Sequence, residues 1–288
     1  MNNYRIYTDS ACDIKKQLLS EWKVASASLT LRFTDSDVEY KNDDMDIDDF
    51  YTKMTEGKIA KTSAINAETF TELFEGALKE DVDILYIGFS SGLSTTTNSA
   101  RIAANELIKK YPERKIIIID SLCASAGQGL LLRLALDKMA EGKTILEVAD
   151  YVESIKLNIC HWFTVNDLVY LKRGGRISPA VAFVGNMLGI KPVLHVDNDG
   201  HLVNVSKVRG RRSAIKALAD KYTELAKDLN GGYVYISHAF CENDAIELAK
   251  IIEEKHGAKT HLITDVGPVI GAHSGPGTLA LFFVGKER

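Results

Sequence analysis

The side chains best suited to chemistry lie in a glycine-rich segment near the C-terminus, LITDVGPVIGAHSGPGT at residues 262–278. It holds one imidazole, His273, among four glycines, and glycine permits the positive φ and close backbone approach of a loop that wraps a ligand. Two upstream segments, residues 61–63 and 90–97, supply hydroxyl groups. One imidazole and several hydroxyls can hold a small anionic group. These few functional groups are poorly suited to demanding catalysis, so the pattern favours a binding protein over an enzyme.

One enzyme hypothesis stays open as the alternative. The segment GFSSG at residues 88–92 matches the G-x-S-x-G pattern of a serine hydrolase, with Ser90 as nucleophile. Asp265 and His273 follow in the Ser–Asp–His order of an esterase triad. However, the next helical pattern starts only near Asn98, and no HGGG-like segment supplies a second oxyanion donor.

Strand-like and helical runs alternate along the chain, which is typical of an α/β fold. The first half contains strand patterns at residues 4–7, 83–89 and 115–120, and the last of these contains four successive isoleucines, as in a parallel sheet buried on both faces. Apolar residues at helical spacing between 100 and 111, and again over 128–140, predict helices that cover the sheet. We therefore expect an N-terminal, Rossmann-like domain.

The pattern changes near residue 158. A strand is predicted at 160–165 and a hairpin over 191–208, turned by the sequence DNDG. Helices at 214–229 and 242–255 flank a further strand at 233–237. These elements predict a smaller C-terminal α+β domain, with domains at residues 1–158 and 159–288.

Several polar residues have local structural interpretations. The hydroxyls of residues 94–97 precede a helix, where they can cap it or bind an anion at its N-terminus. Asp9 is expected to close the turn after the first strand, and Asp13 to cap the next helix. The acidic stretch at 35–49 is expected to be a solvated excursion, because it lacks the spacing of a metal-binding loop.

Composition and charge narrow the class of protein. The 288 residues are 45% hydrophobic and 26% charged with a net charge of −4, which argues against a general nucleic-acid-binding protein. The chain has no apolar run long enough for a membrane span and no signal-peptide pattern at its start. Its four cysteines are widely spaced, which favours reduced thiols. We expect a cytoplasmic protein without an integral membrane segment, and transient membrane contact stays open.

Cofactor and metal signatures are missing from the sequence. No cluster has zinc-like spacing, no Walker A motif is present, and the glycine pair at 127–129 lacks the third glycine of a dinucleotide-binding turn. We expect no metal and no cofactor. Two basic clusters stand out in the second half of this acidic chain, and either is a solvated face or a docking surface for an acidic or phosphorylated partner. They are Lys172, Arg173 and Arg176, and Lys207, Arg209, Arg211 and Arg212.

Six motifs, in order along nearly the whole chain, resemble the DegV family, and within it the fatty-acid-binding proteins of the bacterial fatty acid kinase system (FakB-like). The motifs are TDSACD at 8–13, KTSAIN at 61–66, SSGLSTTTNSA at 90–100, LKRGGRIS at 171–178, VRGRRSA at 208–214 and GPVIGAHSGPGT at 267–278.

The resemblance implies a two-domain α/β protein that is not an enzyme, with a long-chain fatty acid in a tunnel between the domains. It implies that Thr62, Ser94 and His273 hold the carboxylate, which a fatty acid kinase phosphorylates for phospholipid synthesis. The neighbouring motif residues Ser63, Thr95, Gly271 and Ser274 are assigned to the same site. The kinase-facing surface falls on Arg173, Arg209 and Arg211. A nearby carboxylate is expected to favour protonated His273.

Two positions depart from the family pattern. Ile65 stands where the family usually has proline, and Thr95 stands where it usually has glycine. The second change adjoins the proposed carboxylate contact, so local geometry there is open. A DegV-like binder of another lipid, without a kinase partner, is a further alternative.

Overall fold

The run Ile116–Asp120, apolar except for its last residue, forms a strand, as its sequence predicts. A computed structural model describes this and the other elements for residues 3–177 and 189–288. Ser178, the last residue of the LKRGGRIS motif, lies outside the described residues. The strands are β1 Tyr4–Asp9, β2 Ala25–Ala27, β3 Thr30–Phe33, β4 Glu39–Lys41, β5 Ala60–Ser63, β6 Asp83–Gly88, β7 Ile116–Asp120, β8 Ile159–Thr164, β9 Ile190–Val196, β10 Leu202–Arg209, β11 Val234–His238, β12 Leu262–Asp265 and β13 Leu279–Val284. The helices are α1 Lys16–Glu21, α2 Ile47–Thr55, α3 Ala67–Leu78, α4 Thr96–Lys110, α5 Ala126–Ala140, α6 Ile145–Ile155, α7 Val169–Arg173, α8 Arg211–Leu225, α9 Glu242–His256 and α10 Pro268–Ser274.

A four-stranded parallel sheet in the order β2-β1-β6-β7 forms the first layer. Side chains of β6 alternate between its two faces, as strand geometry requires. Ile84 and Tyr86 pack with helices α3 and α4, whereas Leu85 and Ile87 pack with α5 and α6. The sheet is therefore buried on both sides, which explains its apolar strands.

A six-stranded mixed sheet in the order β10-β9-β8-β13-β11-β12 forms a second layer. All its pairs are antiparallel except β11–β12. Helices α8 and α9 cover one face, where Trp162 and Leu281 are buried. The other face presents Phe163 and Phe282 towards α5. A small antiparallel sheet, β4-β3-β5, completes the architecture.

Helix α5 lies between the two large sheets and belongs to the core of both. Its leucines share one apolar cluster with Leu85 of β6 and with Phe282 of β13. The strands of the parallel sheet all come from residues before 121, and those of the six-stranded sheet from residues after 158. The α/β architecture is thus confirmed, and the boundary at 158/159 stays a prediction.

The structure corrects three local expectations about secondary structure. The segment 264–278 is not an open loop, because it contains helix α10, followed by strand β13. The helix expected at 214–229 is Arg211–Leu225. Part of the acidic stretch forms β4 and the start of α2. Asp46 caps the N-terminus of α2.

The two aspartates of the first motif have different outcomes. Asp9 closes the turn after β1 as expected, since its carboxylate accepts the backbone N–H of Ala11 at 3.0 Å. Asp13 does not cap α1, whose N-cap residue is Lys15. It is buried with a left-handed backbone at φ 51°. The four cysteines are free, and Cys241 alone among them is partly exposed.

Candidate ligand-binding site

A cavity of about 540 Å³ lies between strand β5, the segment after β6, helix α10 and the inner face of the six-stranded sheet. Its walls are mostly apolar, with Phe89, Phe163 and Phe282 among the lining residues. This size and lining are typical of small-molecule sites. The cavity therefore joins segments that are far apart in the chain around a largely apolar space.

One group of polar side chains in this cavity is built from Thr62 and His273. Thr62 lies on β5, where it pairs with Leu31 of β3, and His273 lies in the last turn of α10. The Thr62 Oγ1 and His273 Nε2 atoms are 2.8 Å apart and hydrogen bonded. The structure thus brings together two residues that are 211 positions apart in sequence.

Ser94 and Thr95 line the same cavity just before helix α4. Ser94 Oγ lies 2.9 Å from Thr96 Oγ1 and accepts the Thr96 backbone N–H at 3.3 Å. The N-cap residue of α4 is Thr95, but its side chain makes no capping hydrogen bond. The dipole of this 15-residue helix favours an anion near its N-terminus.

The two departures from the family pattern fit the structure without strain. Thr95 has φ −79°, a right-handed conformation open to every residue, so glycine is not required there. Ile65 is buried, and its backbone N–H donates to Thr96 Oγ1 at 3.4 Å, which a proline would be unable to do. This bond ties the end of β5 to the start of α4.

His273 is held in a tight and dry environment. Its Nδ1 atom is buried and has no hydrogen-bond partner among the described residues. A Cβ added at Gly174 would come within 2.1 Å of that nitrogen, so only glycine allows this approach. Burial, and secondarily the nearby Arg176, lower the pKa of His273 to about 4. The imidazole is therefore neutral near pH 7 before a ligand binds.

Arg176 supplies the positive charge of the cavity. Its Nε donates to the Leu93 carbonyl at 3.1 Å and its guanidinium also bonds the Gly174 carbonyl. No carboxylate forms an ion pair with it within the described part of the chain, and it lines the cavity. From the sequence, Arg176 is expected only in a basic cluster on the surface, since charge spacing alone does not show which way a side chain turns.

The remaining predicted ligand residues separate into two groups. Ser63 and Ser274 line the cavity, and the Ser274 hydroxyl is buried without a partner among the residues described. Gly271 instead packs against α2, where an added Cβ would lie 2.4 Å from the Tyr51 hydroxyl. Gly271 thus allows α10 to approach its neighbour and is not a lining residue.

The serine esterase alternative lacks its geometry. The Ser90 hydroxyl donates to the Gly200 carbonyl at 2.9 Å and is fully buried. Asp265 lies near Lys15 and His238, at 3.4 and 3.8 Å. Since His273 bonds Thr62 instead, the hydrogen bonds of a triad are not formed among these three residues.

The predicted docking arginines differ in their exposure. Arg173 is exposed and its guanidinium lies over the Tyr170 ring, and Arg209 is exposed at the end of β10. Arg211 is largely buried in an ion pair with Asp244 at 2.8 Å, so it is not a free surface cation. Arg211 therefore contributes to the fold of this face more directly than to a partner surface.

Neither a metal-binding cluster nor a membrane-spanning helix is found among the described residues. No group of three or more His, Cys, Asp or Glu side chains there is placed to hold a metal ion. Among the same residues, none of the helices combines the length and the apolar character that crossing a bilayer demands.

An α/β fold with a largely apolar cavity and a cluster of hydroxyls beside an arginine is typical of proteins that bind a small amphipathic ligand. The chain matches the model of the DegV family, described as "Uncharacterised protein, DegV family", over residues 3–286, and it belongs to that family.

Relatives of the chain agree with a binding role. It is 40% identical over 289 residues to a DegV domain-containing protein of Clostridium perfringens, covering 100% of this chain and 99% of that protein. It is 32% identical to a fatty acid-binding protein of Thermotoga maritima, covering 99% and 98% of the two chains. The crystal structure of a fatty acid binding DegV family protein from Streptococcus agalactiae superposes with a TM-score of 0.86 at 28% identity, covering both chains in full (100%). The proteins from Thermotoga maritima and Streptococcus agalactiae are both described as fatty-acid-binding proteins.

Proposed function

We propose that this protein binds a long-chain fatty acid, with the acyl chain in the apolar part of the cavity and the carboxylate at the end formed by Thr62, Ser94, His273 and Arg176. The observation that carries the proposal is the single cavity that joins apolar walls to this polar cluster. The fatty-acid-binding descriptions of the two relatives support the same class of ligand.

The two parts of the cavity divide the binding energy between them. Burying about 14 methylenes at about 0.8 kcal/mol each contributes roughly 11 kcal/mol before the entropic cost of association. A buried carboxylate without partners would cancel much of this gain. Hydroxyl donors together with the Arg176 guanidinium provide charge-assisted hydrogen bonds, and the arginine stays charged at every physiological pH.

Mass spectrometry of the purified recombinant protein tests the binding proposal directly. Native spectra should show an added mass, and extraction after denaturation should release a fatty acid in about one-to-one ratio. The released species would also report chain length. A protein that is empty, and that takes up neither palmitate nor oleate when they are added, would contradict the proposal.

We further propose that a fatty acid kinase receives the bound carboxylate and converts it to an acyl phosphate. The support is an exposed basic surface beside the polar end of the cavity. Lys191 donates to the Asn166 side chain at 2.9 Å, and Asn166 packs against Gly277 in the loop that follows His273. Arg209 follows in the same hairpin, close to Lys191 in the strand pairing.

Charge reversal at Arg209 tests the partner surface. Arg209→Glu should weaken kinase binding and make the remaining affinity less sensitive to salt, because attraction across a charged interface is screened by ions. Lys259→Glu is a control with the same charge change on an exposed residue between α9 and β12. Equal kinase affinity for wild type and Arg209→Glu across a salt series would contradict the proposal that this surface docks the kinase. The proposal that the protein binds a fatty acid would not be affected by that result.

A further inference from the structure

A second set of polar groups lies on the wall of the cavity, distinct from the cluster around His273. Ser125 and Ser237 both line the cavity and both are buried. Their Oγ atoms are 3.0 Å apart, and Ser125 Oγ lies 2.5 Å from the carboxyl Oδ2 of Asp13 behind the wall. A three-residue hydrogen-bonded chain therefore leads from a buried acid to the cavity.

In the six-stranded sheet Ser237 pairs on one side with Thr264, which does not line the cavity. On the other side it pairs with Ala280, which in turn pairs with Phe163 on the next strand. Ser237, Ala280 and Phe163 all line the cavity, so the cavity wall beside Ser237 is apolar on this side. A hydroxyl in such a wall is costly when it faces only hydrocarbon, because methylenes offer no hydrogen bond. Ser237 has one side-chain partner among the described residues, Ser125, and so retains unused hydrogen-bonding capacity.

The protonation state of Asp13 decides which groups donate in the hydrogen bonds that join Asp13, Ser125 and Ser237. Burial raises the pKa of Asp13 to about 8, the carboxylates of Asp43 and Asp265 add to the increase, and hydrogen bonds from Ser125 and the Gly267 backbone oppose it. Ser125 Oγ donates to Asp13 Oδ2 in the structure. A carboxyl that is neutral at pH 7 can reverse this bond and donate to Ser125, which then donates to Ser237. In that arrangement the Ser237 proton is left free to donate to an oxygen atom in the cavity.

We propose that the ligands of this protein include fatty acids with a hydroxyl or oxo oxygen along the acyl chain, and that Ser237 hydrogen-bonds this oxygen with Ser125 and Asp13 behind it. The inference rests on the proposed function, since it concerns the chain of a fatty acid whose carboxylate occupies the polar end. It makes Ser237 a specificity-determining residue for the position of the oxygen.

Binding of positional isomers provides the test. Delipidated protein is titrated with stearate and with hydroxystearates and oxostearates that carry the oxygen at successive carbons. In a wholly apolar cavity, an added oxygen would weaken binding of every isomer. If Ser237 hydrogen-bonds the oxygen, at least one isomer should bind as tightly as stearate or more tightly. Ser237→Ala should reduce the affinity for that isomer relative to stearate by about fivefold, the scale of one hydrogen bond.

Two further variants keep the result interpretable. Ser154→Ala, at an exposed position in α6, should retain the wild-type ratio of affinities. Ser237→Cys, which nearly preserves volume and donates weakly, gives an intermediate ratio and serves if the alanine variant does not fold. One outcome would overturn this inference alone: the protein binds stearate, every oxygen-bearing isomer binds more weakly than stearate, and the ratio of the two affinities is the same in wild type and variants. No binding of stearate or any isomer by the folded wild type overturns the proposed function and this inference together.

Discussion

At the scale of single residues, the site combines a neutral imidazole with a permanently charged guanidinium. The pKa of His273 is lowered to about 4 by burial and by Arg176, so the positive charge near the hydroxyls lies on the arginine. The expectation of a protonated His273 concerns the state with a bound carboxylate and stays a prediction. His161, another buried histidine of the cavity wall, also has a lowered pKa, mainly through burial.

The lowered pKa of His273 predicts how stability responds to acid. Between about pH 6.5 and 4 the unfolded chain binds a proton at this residue and the folded chain does not, so falling pH favours unfolding. His273 should account for up to about 3 kcal/mol of that loss, the equivalent of its pKa shift. His273→Gln should flatten the curve of unfolding free energy against pH in this window, as measured by urea titration. His161 contributes to the same window in both proteins, so the difference between them isolates His273. Parallel curves would contradict the assigned pKa.

At the scale of elements, α10 decides how His273 reaches the cavity. Signals for this helix are present in the sequence, with Pro268 at its first position and Gly275 directly after it. The density of glycines suggested a loop instead. In the structure Gly271 serves close packing of α10 on α2, and Gly275 adopts φ 79° next to the Tyr170 ring.

Two glycine substitutions separate packing from backbone preference. Gly271→Ala should destabilise the protein by about 1–3 kcal/mol, because its Cβ would collide with Tyr51, and should also weaken ligand binding through the displaced α10. Gly76→Ala is the matched control, since it lies in helix α3 with nothing within 4 Å of an added Cβ. It should stabilise by up to about 1 kcal/mol. Thermal unfolding measures both, and equal shifts of the same sign would contradict the packing argument.

At the scale of the whole molecule, the binding cavity exists because two large sheets share helix α5 and leave space between them. The inner face of the six-stranded sheet supplies one wall, and the segments around Thr62 and Ser94 supply the opposite side. Ala280 is the smallest residue of the row that includes Phe163 and Ser237. Its size therefore helps to set the space available to an acyl chain.

Filling that space should change chain-length preference. Ala280→Leu adds bulk inside the cavity, so the affinity for stearate should fall about tenfold more than the affinity for laurate, since two displaced methylenes correspond to about that factor. Ala140→Leu is the control, at an exposed position at the end of α5. Isothermal titration with both fatty acids measures the ratio. An identical loss for both chain lengths would show that Ala280 does not limit the tunnel.

Periodicity and composition by themselves determined part of the strands and helices, among them β1, β6, β7, α4 and α5, and the α/β class follows from these. Alternation and apolar runs report which face of an element is buried, and that information is local. From residue types alone, His273 and the hydroxyls of residues 61–63 and 90–97 point only to anion binding, and the resemblance to the DegV motifs then selects Thr62, Ser94 and His273. The elements on either side of His273 were not identifiable from the sequence, since glycines serve loops, helix ends and close packing alike.

Only the tertiary structure decided which side chains meet. It placed Thr62 against His273, turned Arg176 into the cavity, and joined Ser237 to Asp13 through Ser125. It also buried Arg211 in an ion pair and kept Ser90 away from the histidine. These contacts join residues from separate elements whose relative positions depend on the packing of α5, α10 and the sheets. Contacts across such distances follow from the packing of the whole core and not from the pattern of any one segment.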